Sequence, residues 1–190
     1  NALRQSFLRT KNSDYAEFRD MMNIRTNSSN NTVFADSSGN IAYFHGNFVP
    51  RRDASFDYST PVDGSNPATD WQGLHTVDET ITLLNPANGW IQNCNSTPFT
   101  AAGAASPQRA GYPTYMAPDP ENFRGLHAAR LLSDIASSGD DRFSMDELLA
   151  LAYHPALPAF EVLLPPLSEH FARHGSDYPE LAPVIEALSS

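Results

Sequence analysis

The sequence predicts an α+β fold in which antiparallel strands come first and helices follow. Two apolar runs, Thr32–Asp36 and Ile41–Phe48, flank a turn and predict a β-hairpin, and a third run at Thr80–Leu84 predicts another strand. From Pro120 to the end, apolar residues recur at helical spacing instead. Strands and helices that occupy separate parts of a chain are typical of the α+β class.

We accordingly divide the chain into three parts: a strand-rich part over residues 1–100, an irregular loop over 101–118 and a helical part over 119–190. The loop is rich in Ala, Gly and Pro and shows no periodicity. Within the first part, residues 53–73 form a second irregular stretch, and loops of this length in compact domains are commonly functional.

The composition argues against several classes of function. The chain has 190 residues with 22 acidic and 12 basic side chains, which gives a formal charge of −10. That charge argues against nucleic acid or an anionic membrane as the main partner. No apolar run approaches the roughly 20 residues of a membrane span. The single Cys94 excludes an internal disulfide and thiol metal sites of the Cys-x-x-Cys type.

The two ends of the chain predict a piece of a longer protein. The chain begins at Asn1, with no initiator methionine and no signal peptide, and it ends on two serines directly after an apolar helical segment. We therefore expect the natural protein to extend beyond these residues.

Two helices are predicted before the hairpin. Residues 2–9 have the pattern of a helix end, and a second helix follows Ser13, the predicted N-cap. Tyr15, Phe18 and Met21 recur at helical spacing in this second helix, which predicts ordinary core contacts.

The two hairpin strands are apolar at successive positions, which indicates burial on both faces of the sheet. Between them, Gly39 lies in a Ser-Ser-Gly-Asn turn, where glycine adopts a positive φ without steric cost. His45 lies in the second strand, and we interpret it as a structural histidine rather than a catalytic one.

The segment from Asn85 to Pro98 contains an unusual polar cluster. An Asn-Pro and Asn-Gly turn signal is followed by Trp90 and Ile91, which predict the entry to a strand. The tip of this strand, residues 92–95, reads Gln-Asn-Cys-Asn, and each of its three carboxamides has an acceptor and two donors to satisfy. Two interpretations stay open: the amides are presented to a ligand, or they cap nearby backbone in a polar loop.

The first helix of the C-terminal part combines an apolar face with a cation. Asp119 is the predicted N-cap and Pro120 the first helical residue. Arg124 begins a stripe that continues with apolar residues at i+4, i+7, i+8 and i+11, ending at Ile135. Because an unpaired buried charge costs several kcal/mol, we expect Arg124 to meet carbonyl, carboxylate or ligand oxygens.

Further helices are predicted after this one. A Ser-x-x-Glu capping box begins at Ser144 and precedes an apolar helix. Prolines interrupt the sequence beyond it, so we expect short helices at 160–164, 167–173 and 180–188. A histidine pair at i, i+4 spacing in this region has no third ligand near it in sequence, so we predict no metal site.

Taken in order, these pieces resemble the β-chain of the penicillin acylase family, whose members are N-terminal nucleophile hydrolases related to the acylases that cleave acyl-homoserine lactones. The resemblance runs from about Phe7 to Leu151 and depends on the order and spacing of several segments. The segments that carry it are Asn31-Thr32-Val33-Phe34-Ala35-Asp36, Gly39-Asn40-Ile41-Ala42-Tyr43, Val49-Pro50-Arg51, Asp70-Trp71-Gln72-Gly73, Asn85-Pro86, Gly89-Trp90-Ile91-Gln92-Asn93-Cys94-Asn95-Ser96-Thr97-Pro98, the helix with Arg124 and Arg130-Leu131-Leu132, and Ser144 to Leu151.

The resemblance implies a partial αββα N-terminal nucleophile hydrolase sandwich, incomplete at both ends, from an amide-hydrolysing acylase of the penicillin or N-acyl-homoserine-lactone type. In this family, a serine at the start of the β-chain is the nucleophile and its own α-amine is the general base. By position, Asn95 matches the asparagine that helps to form the oxyanion hole, and Arg124 matches the arginine that supports that site electrostatically.

The resemblance also implies binding partners and a location. Phe7, Asn30 and Asn31 fall near positions that line the substrate pocket. The expected partners are a small-molecule acyl amide and the remaining α- and β-chain segments of the acylase. No cofactor is expected in this chain, although the complete protein of this family often binds a structural calcium ion. A periplasmic or secreted bacterial protein is expected.

The chain departs from the family pattern at its first residue, because Asn1 is not a nucleophile. We therefore expect a chain that carries the oxyanion-hole strand but lacks the serine, and that is inactive alone. One alternative is a non-catalytic ligand-binding or scaffold module that retains the acylase shell. Another is a small-molecule or glycan-binding β-domain that uses Trp71, Trp90 and the amides as a binding surface.

Overall fold

The computed structural model of the chain describes residues 1–27, 30–137 and 144–189. The chain forms two compact units, Asn1–Asp141 and Arg142–Ser190. The first unit contains the sheet and the polar segment around residue 95, and the second unit contains the last helices.

The sheet of the first unit has three antiparallel strands in sequence order. They are β1 (Thr32–Ala35), β2 (Ile41–Phe44) and β3 (Thr82–Leu84). In this register Val33 pairs with Tyr43, and Tyr43 pairs with Leu83 on the other side. The predicted α+β class with antiparallel strands is confirmed, and each strand is shorter than the apolar run that predicted it.

Side-chain amides and carboxylates fix the ends of the hairpin. Asp36 Oδ1 accepts hydrogen bonds from the backbone N–H groups of Ser38 and Asn40, both at 2.9 Å, and Gly39 has a φ of +85°. Asn85 Oδ1 accepts from the backbone N–H of Ile41 at 2.9 Å. These contacts close the β1–β2 turn and attach the segment after β3 to the start of β2.

Two short helices precede the sheet in the chain. Helix α1 spans Ala2–Leu8 and helix α2 spans Tyr15–Met22. The N-cap of α2 is Asp14, whose side chain accepts from the Glu17 backbone N–H, so the predicted cap at Ser13 is wrong by one residue. Ser13 instead donates its own N–H to the Glu17 carboxylate at 2.9 Å.

The core of this unit lies between α2 and β2. It contains Phe18, Met21, Met22, Ala42, Phe44 and Val77. Strand β2 is buried along most of its length, as predicted, but β1 alternates between half-buried and exposed residues, and Val33 is 53% exposed. The prediction of burial on both faces is therefore wrong for β1, which lies at the edge of the three-stranded sheet.

Four α-helices follow Asn122 in the described part of the chain, namely α3 (Phe123–Ala136), α4 (Met145–Ala152), α5 (Pro158–His174) and α6 (Ala182–Ser189). The capping box of Ser144 and Glu147 at the start of α4 is confirmed. None of the helices among residues 1–27, 30–137 and 144–189 is long and apolar enough to cross a membrane.

Helix α5 contradicts the prediction of two short helices at 160–164 and 167–173, because it continues through Pro165 and Pro166. Proline at these positions removes the hydrogen bonds to the carbonyls of Glu161 and Val162. Both of those residues are exposed, so water can satisfy the two carbonyl groups and the helix continues.

A buried asparagine connects α2 to the loop that follows it. Asn47 is 1% exposed; its Nδ2 donates to the Met22 carbonyl at 2.7 Å, and its Oδ1 accepts from the Asn27 backbone N–H at 2.8 Å. Both hydrogen bonds join segments at least 20 residues apart in sequence. They hold the chain that enters β1 against the chain that leaves β2.

We expect Asn47→Ala to lower the free energy of unfolding by about 1–3 kcal/mol, because it leaves the Asn27 N–H without a partner and removes one of the two donors to the Met22 carbonyl. Urea denaturation followed by circular dichroism measures this loss. Asn23→Ala is the matched control, since Asn23 is exposed and its side chain makes no hydrogen bond within the described part of the chain. Equal stability of the two variants would contradict the prediction.

Candidate functional site

The segment from Asn85 to Pro98 is not a strand. Its backbone turns at Asn85, Gly89 and Asn95, which have φ values of +46°, +75° and +54°. The Gln92 N–H donates to the Ala101 carbonyl at 2.8 Å, outside the three-stranded sheet. The predicted oxyanion-hole strand is therefore wrong as secondary structure, because left-handed φ values interrupt the extended conformation that a strand requires.

The sequence left open whether the amides of this segment cap backbone or are presented to a ligand, and the individual amides differ in this respect. Gln92 is buried, and its Nε2 donates to the Thr100 carbonyl at 3.3 Å, so it caps backbone. Asn93 and Asn95 are exposed. The Asn93 Oδ1 accepts from Asn31 Nδ2 at 3.1 Å, which links this segment to the residue before β1.

A cavity of about 340 Å³ lies beside this segment in the first unit. Two predicted site residues, Asn31 and Asn95, line it together. The complete lining is Asn31, His45, Gly46, Val49, Asn95, Met116, Pro118 and Asp119. The cavity therefore combines carboxamides and a histidine with an apolar wall, which suits a small organic ligand.

The other two predicted substrate-binding residues do not line this cavity. Phe7 lies on α1, is 64% exposed, and has the ammonium of Lys11 5.2 Å from the centre of its ring. Asn30 is exposed, and its backbone carbonyl accepts from Asn27 Nδ2 at 2.8 Å.

The two predicted catalytic residues contact each other. Arg124 lies in the first turn of α3, and its Nη2 donates to Asn95 Oδ1 at 3.3 Å. Since guanidinium groups carry only donors, this contact fixes the oxygen of the Asn95 carboxamide on the arginine side and leaves Nδ2 on the other side. Asn95 Nδ2 makes no hydrogen bond within the described ranges. Arg124 meets an acceptor oxygen, as expected, although it is exposed rather than buried.

Asn122 holds this pair in place. It is the N-cap of α3, and its Oδ1 accepts from the Gly125 backbone N–H at 2.9 Å. Its Nδ2 donates to the carbonyls of Cys94 and Asn95, at 3.1 and 3.2 Å. A single carboxamide thus caps the helix that carries Arg124 and binds the backbone of the loop that carries Asn95.

Gly125 allows the close approach of this helix to the loop. A Cβ atom at this position would lie 2.5 Å from Glu121 Oε1 and 2.6 Å from Ser96 Oγ, both far inside van der Waals contact. A glycine in the first turn of α3 therefore has a packing role.

His45 lines the cavity, and its ring nitrogens lie near two polar groups. Its Nδ1 lies 2.9 Å from the Tyr43 hydroxyl, and its Nε2 lies 3.6 Å from Asp119 Oδ2. Burial raises the pKa of Tyr43 and lowers the pKa of His45, although Asp119 opposes the second shift. At neutral pH His45 is therefore neutral; its Nδ1 shares a hydrogen bond with the Tyr43 hydroxyl, and its Nε2 faces Asp119. This arrangement agrees with the predicted structural role of His45.

Cys94 has no features of a nucleophile. Burial raises the pKa of its thiol, and although Arg124 opposes the shift, the thiol is protonated at neutral pH. Within the described ranges, no group of three or more His, Cys, Asp or Glu side chains is arranged to hold a metal ion.

The family model for penicillin amidase matches residues 1–189 of this chain. The chain belongs to the penicillin amidase family. Penicillin G acylase of Escherichia coli is 37% identical to it over 68 residues, which cover 36% of this chain and 8% of that relative. The predicted family is therefore confirmed, and the chain matches less than a tenth of the length of this relative. The four-layer αββα sandwich stays a prediction, since the described sheet has three strands.

Sequence reasoning missed two residues of the candidate site. Asp119 was predicted to cap α3, but it lines the cavity, and the helix begins four residues later. The N-cap of α3 is Asn122, for which we predicted no role from the sequence. The strong preference of asparagine for N-cap positions offered a signal for it, but the Asp-Pro pair just before it gave a competing signal.

We expect Asn122→Ser to cost about 1–2 kcal/mol of stability, since serine keeps the cap and loses both donors to the 94–95 carbonyls. The matched control is Asn66→Ser, because Asn66 Oδ1 also caps a short helix, accepting from the Ala68 N–H, and its Nδ2 makes no described hydrogen bond. Thermal and urea unfolding measure both variants. Equal losses would show that Asn122 acts only as a cap.

Proposed function

We propose that the protein containing these residues is an amide-hydrolysing acylase, and that Asn95 stabilises the oxyanion formed when its nucleophile attacks the substrate carbonyl. The support is the family of the chain together with one contact, the hydrogen bond from Arg124 to Asn95 Oδ1. This contact orients the carboxamide so that Nδ2 is available as a donor beside the cavity that Asn95 lines.

The physical basis is electrostatic. As a nucleophile adds to an amide carbonyl, its oxygen gains negative charge that a fixed N–H donor stabilises more strongly than it stabilises the neutral substrate. The positive charge of Arg124 polarises the Asn95 carboxamide in the same sense. Asn122 holds the loop and the helix in fixed positions relative to each other, so the Asn95 donor needs little rearrangement during the reaction.

The nucleophile of the proposed reaction comes from outside these residues. The side chain of Asn1 is a carboxamide, which is not a nucleophile under physiological conditions, and the Cys94 thiol is protonated. By family resemblance, the attacking group is a serine at the start of a β-chain, with its α-amine as the base. The remaining α- and β-chain segments are therefore proposed partners of this chain.

The proposed substrate is a small acyl amide, of the penicillin or the N-acyl-homoserine-lactone type. Val49, Met116 and Pro118 provide an apolar wall for the cavity, and Asn31 provides a polar group opposite that wall. Phe7 and Asn30 remain proposed contacts of the acyl group, although neither residue lines this cavity. A periplasmic or secreted location is proposed on the same family grounds.

We expect Asn95→Ala to lower kcat of the whole acylase by about 10²-fold or more, because an oxyanion donor of this kind contributes roughly 3 kcal/mol. Asn23→Ala is the matched control: it removes an exposed carboxamide whose side chain makes no hydrogen bond in the described part of the chain, and we expect less than a fivefold change in kcat. The assay is hydrolysis of a phenylacetyl amide and of a long-chain acyl-homoserine lactone. A wild-type rate for Asn95→Ala would remove this residue from the mechanism.

We also expect the 190-residue chain, purified alone, to show no amide hydrolysis, since its residues provide the oxyanion donor without the attacking group. The whole acylase, assayed at equal molar concentration, is the positive control. Circular dichroism must show helix and strand in the isolated chain for the comparison to count. Saturable turnover by this chain would contradict the proposed division of the active site.

A further inference from the structure

A second cavity, of about 230 Å³, lies in the first unit next to the candidate active site. Pro118 lines both cavities, so they adjoin at this residue. The lining residues of the second cavity are Arg52, Asp57, Tyr58, Ser59, Thr114, Tyr115 and Pro118. Its walls come from the long irregular stretch 53–73 and from the loop before α3.

The cation that lines this cavity is Arg52, and its guanidinium has no hydrogen-bond acceptor in the described ranges. The Arg52 guanidinium lies over the Tyr58 ring, 4.7 Å from its centre, and 6.0 Å from the centre of the Trp71 ring. Within the described ranges its side chain makes no ion pair and no hydrogen bond. Five N–H donors are thus held in one place by aromatic contacts alone, and such a group suits bidentate binding of a carboxylate.

A second donor in the same cavity is also unused. The Tyr58 hydroxyl is buried and has no hydrogen-bond partner in the part of the chain that the structure describes. A buried polar group without a partner is costly, and an unpaired one in a native structure commonly marks the place of a ligand or an ordered water.

Three other polar residues of this lining, Tyr115, Asp57 and Ser59, make hydrogen bonds that fix the walls of the cavity. The Tyr115 hydroxyl lies 3.0 Å from His75 Nε2 and accepts from the Arg52 backbone N–H at 3.3 Å. Asp57 Oδ1 accepts from both the N–H and the hydroxyl of Ser59, at 2.9 and 2.6 Å. The unpartnered donors of Arg52 and Tyr58 favour a ligand that carries an acceptor group.

We propose that the second cavity binds a carboxylate-bearing small molecule with a flat apolar body. The carboxylate accepts from the Arg52 guanidinium and from the Tyr58 hydroxyl, and the flat body lies against the Tyr115 ring. This proposal depends on the groups of the second cavity and not on the proposed acylase function.

The test is equilibrium binding of benzoate to the intact protein, with benzamide as the uncharged isostere. We expect benzoate to bind at least tenfold more tightly than benzamide. We expect Arg52→Gln and Tyr58→Phe each to weaken benzoate binding about tenfold or more, because hydrogen bonds to charged groups are among the stronger ones. Calorimetry gives the affinities, and amide chemical shifts of residues 57–59 and 114–115 locate the site.

Two controls match these variants. Arg109→Gln removes an arginine that also lies over an aromatic ring, Phe99, and Tyr112→Phe removes the hydroxyl of a half-buried tyrosine outside the cavity. Neither should change the affinity for benzoate.

Tyr58→Phe keeps the ring that Arg52 packs on, so it tests the proposal even if Arg52→Gln unfolds the protein. Equal affinity for benzoate and benzamide, an unchanged Tyr58→Phe variant, or shifts confined to Asn31 and Asn95 would overturn the proposal.

Discussion

The three hydrogen bonds of the Asn122 side chain determine the geometry of the candidate active site. Its carboxamide oxygen caps α3, and its nitrogen binds two consecutive carbonyls of the neighbouring loop. Because Arg124 follows two residues later on α3, the same carboxamide sets where the guanidinium lies relative to Asn95. Gly125 completes the arrangement, since a side chain there would separate the helix from the loop.

This arrangement explains why the loop accepts an unfavourable backbone conformation. Asn95 has a φ of +54°, a region that non-glycine residues rarely adopt but that asparagine tolerates better than most. Strain of this kind costs about 1 kcal/mol or more and persists only where surrounding contacts enforce it. The hydrogen bonds from Asn122 and Arg124 supply that enforcement. The carboxamide of Asn95 consequently extends from a strained turn rather than from a regular strand.

The elements that the sequence predicted well are those with local causes. The hairpin turn depends on Asp36 and Gly39, and the start of α4 depends on Ser144 and Glu147, all within a few residues. The strand predicted at residues 90–95 failed because its conformation depends on Asn122, which lies 27 residues after Asn95. The amphipathic pattern of α3 predicted that Arg124 would meet an oxygen, but only the tertiary structure identifies Asn95 as its partner. The contact of His45 with Asp119 was unpredictable for the same reason.

The charges around the first cavity also limit where negative charge can develop in the proposed reaction. Asp119 lines this cavity, and its Oδ2 lies 3.6 Å from Nε2 of the neutral His45. An oxyanion close to that carboxylate would be repelled, whereas one beside Asn95 would have a donor nearby and the Arg124 cation behind it. A neutral amide substrate gains little from either charge. In the proposed reaction, this distribution of charge would favour the transition state over the substrate, which is the condition for catalysis rather than for binding alone.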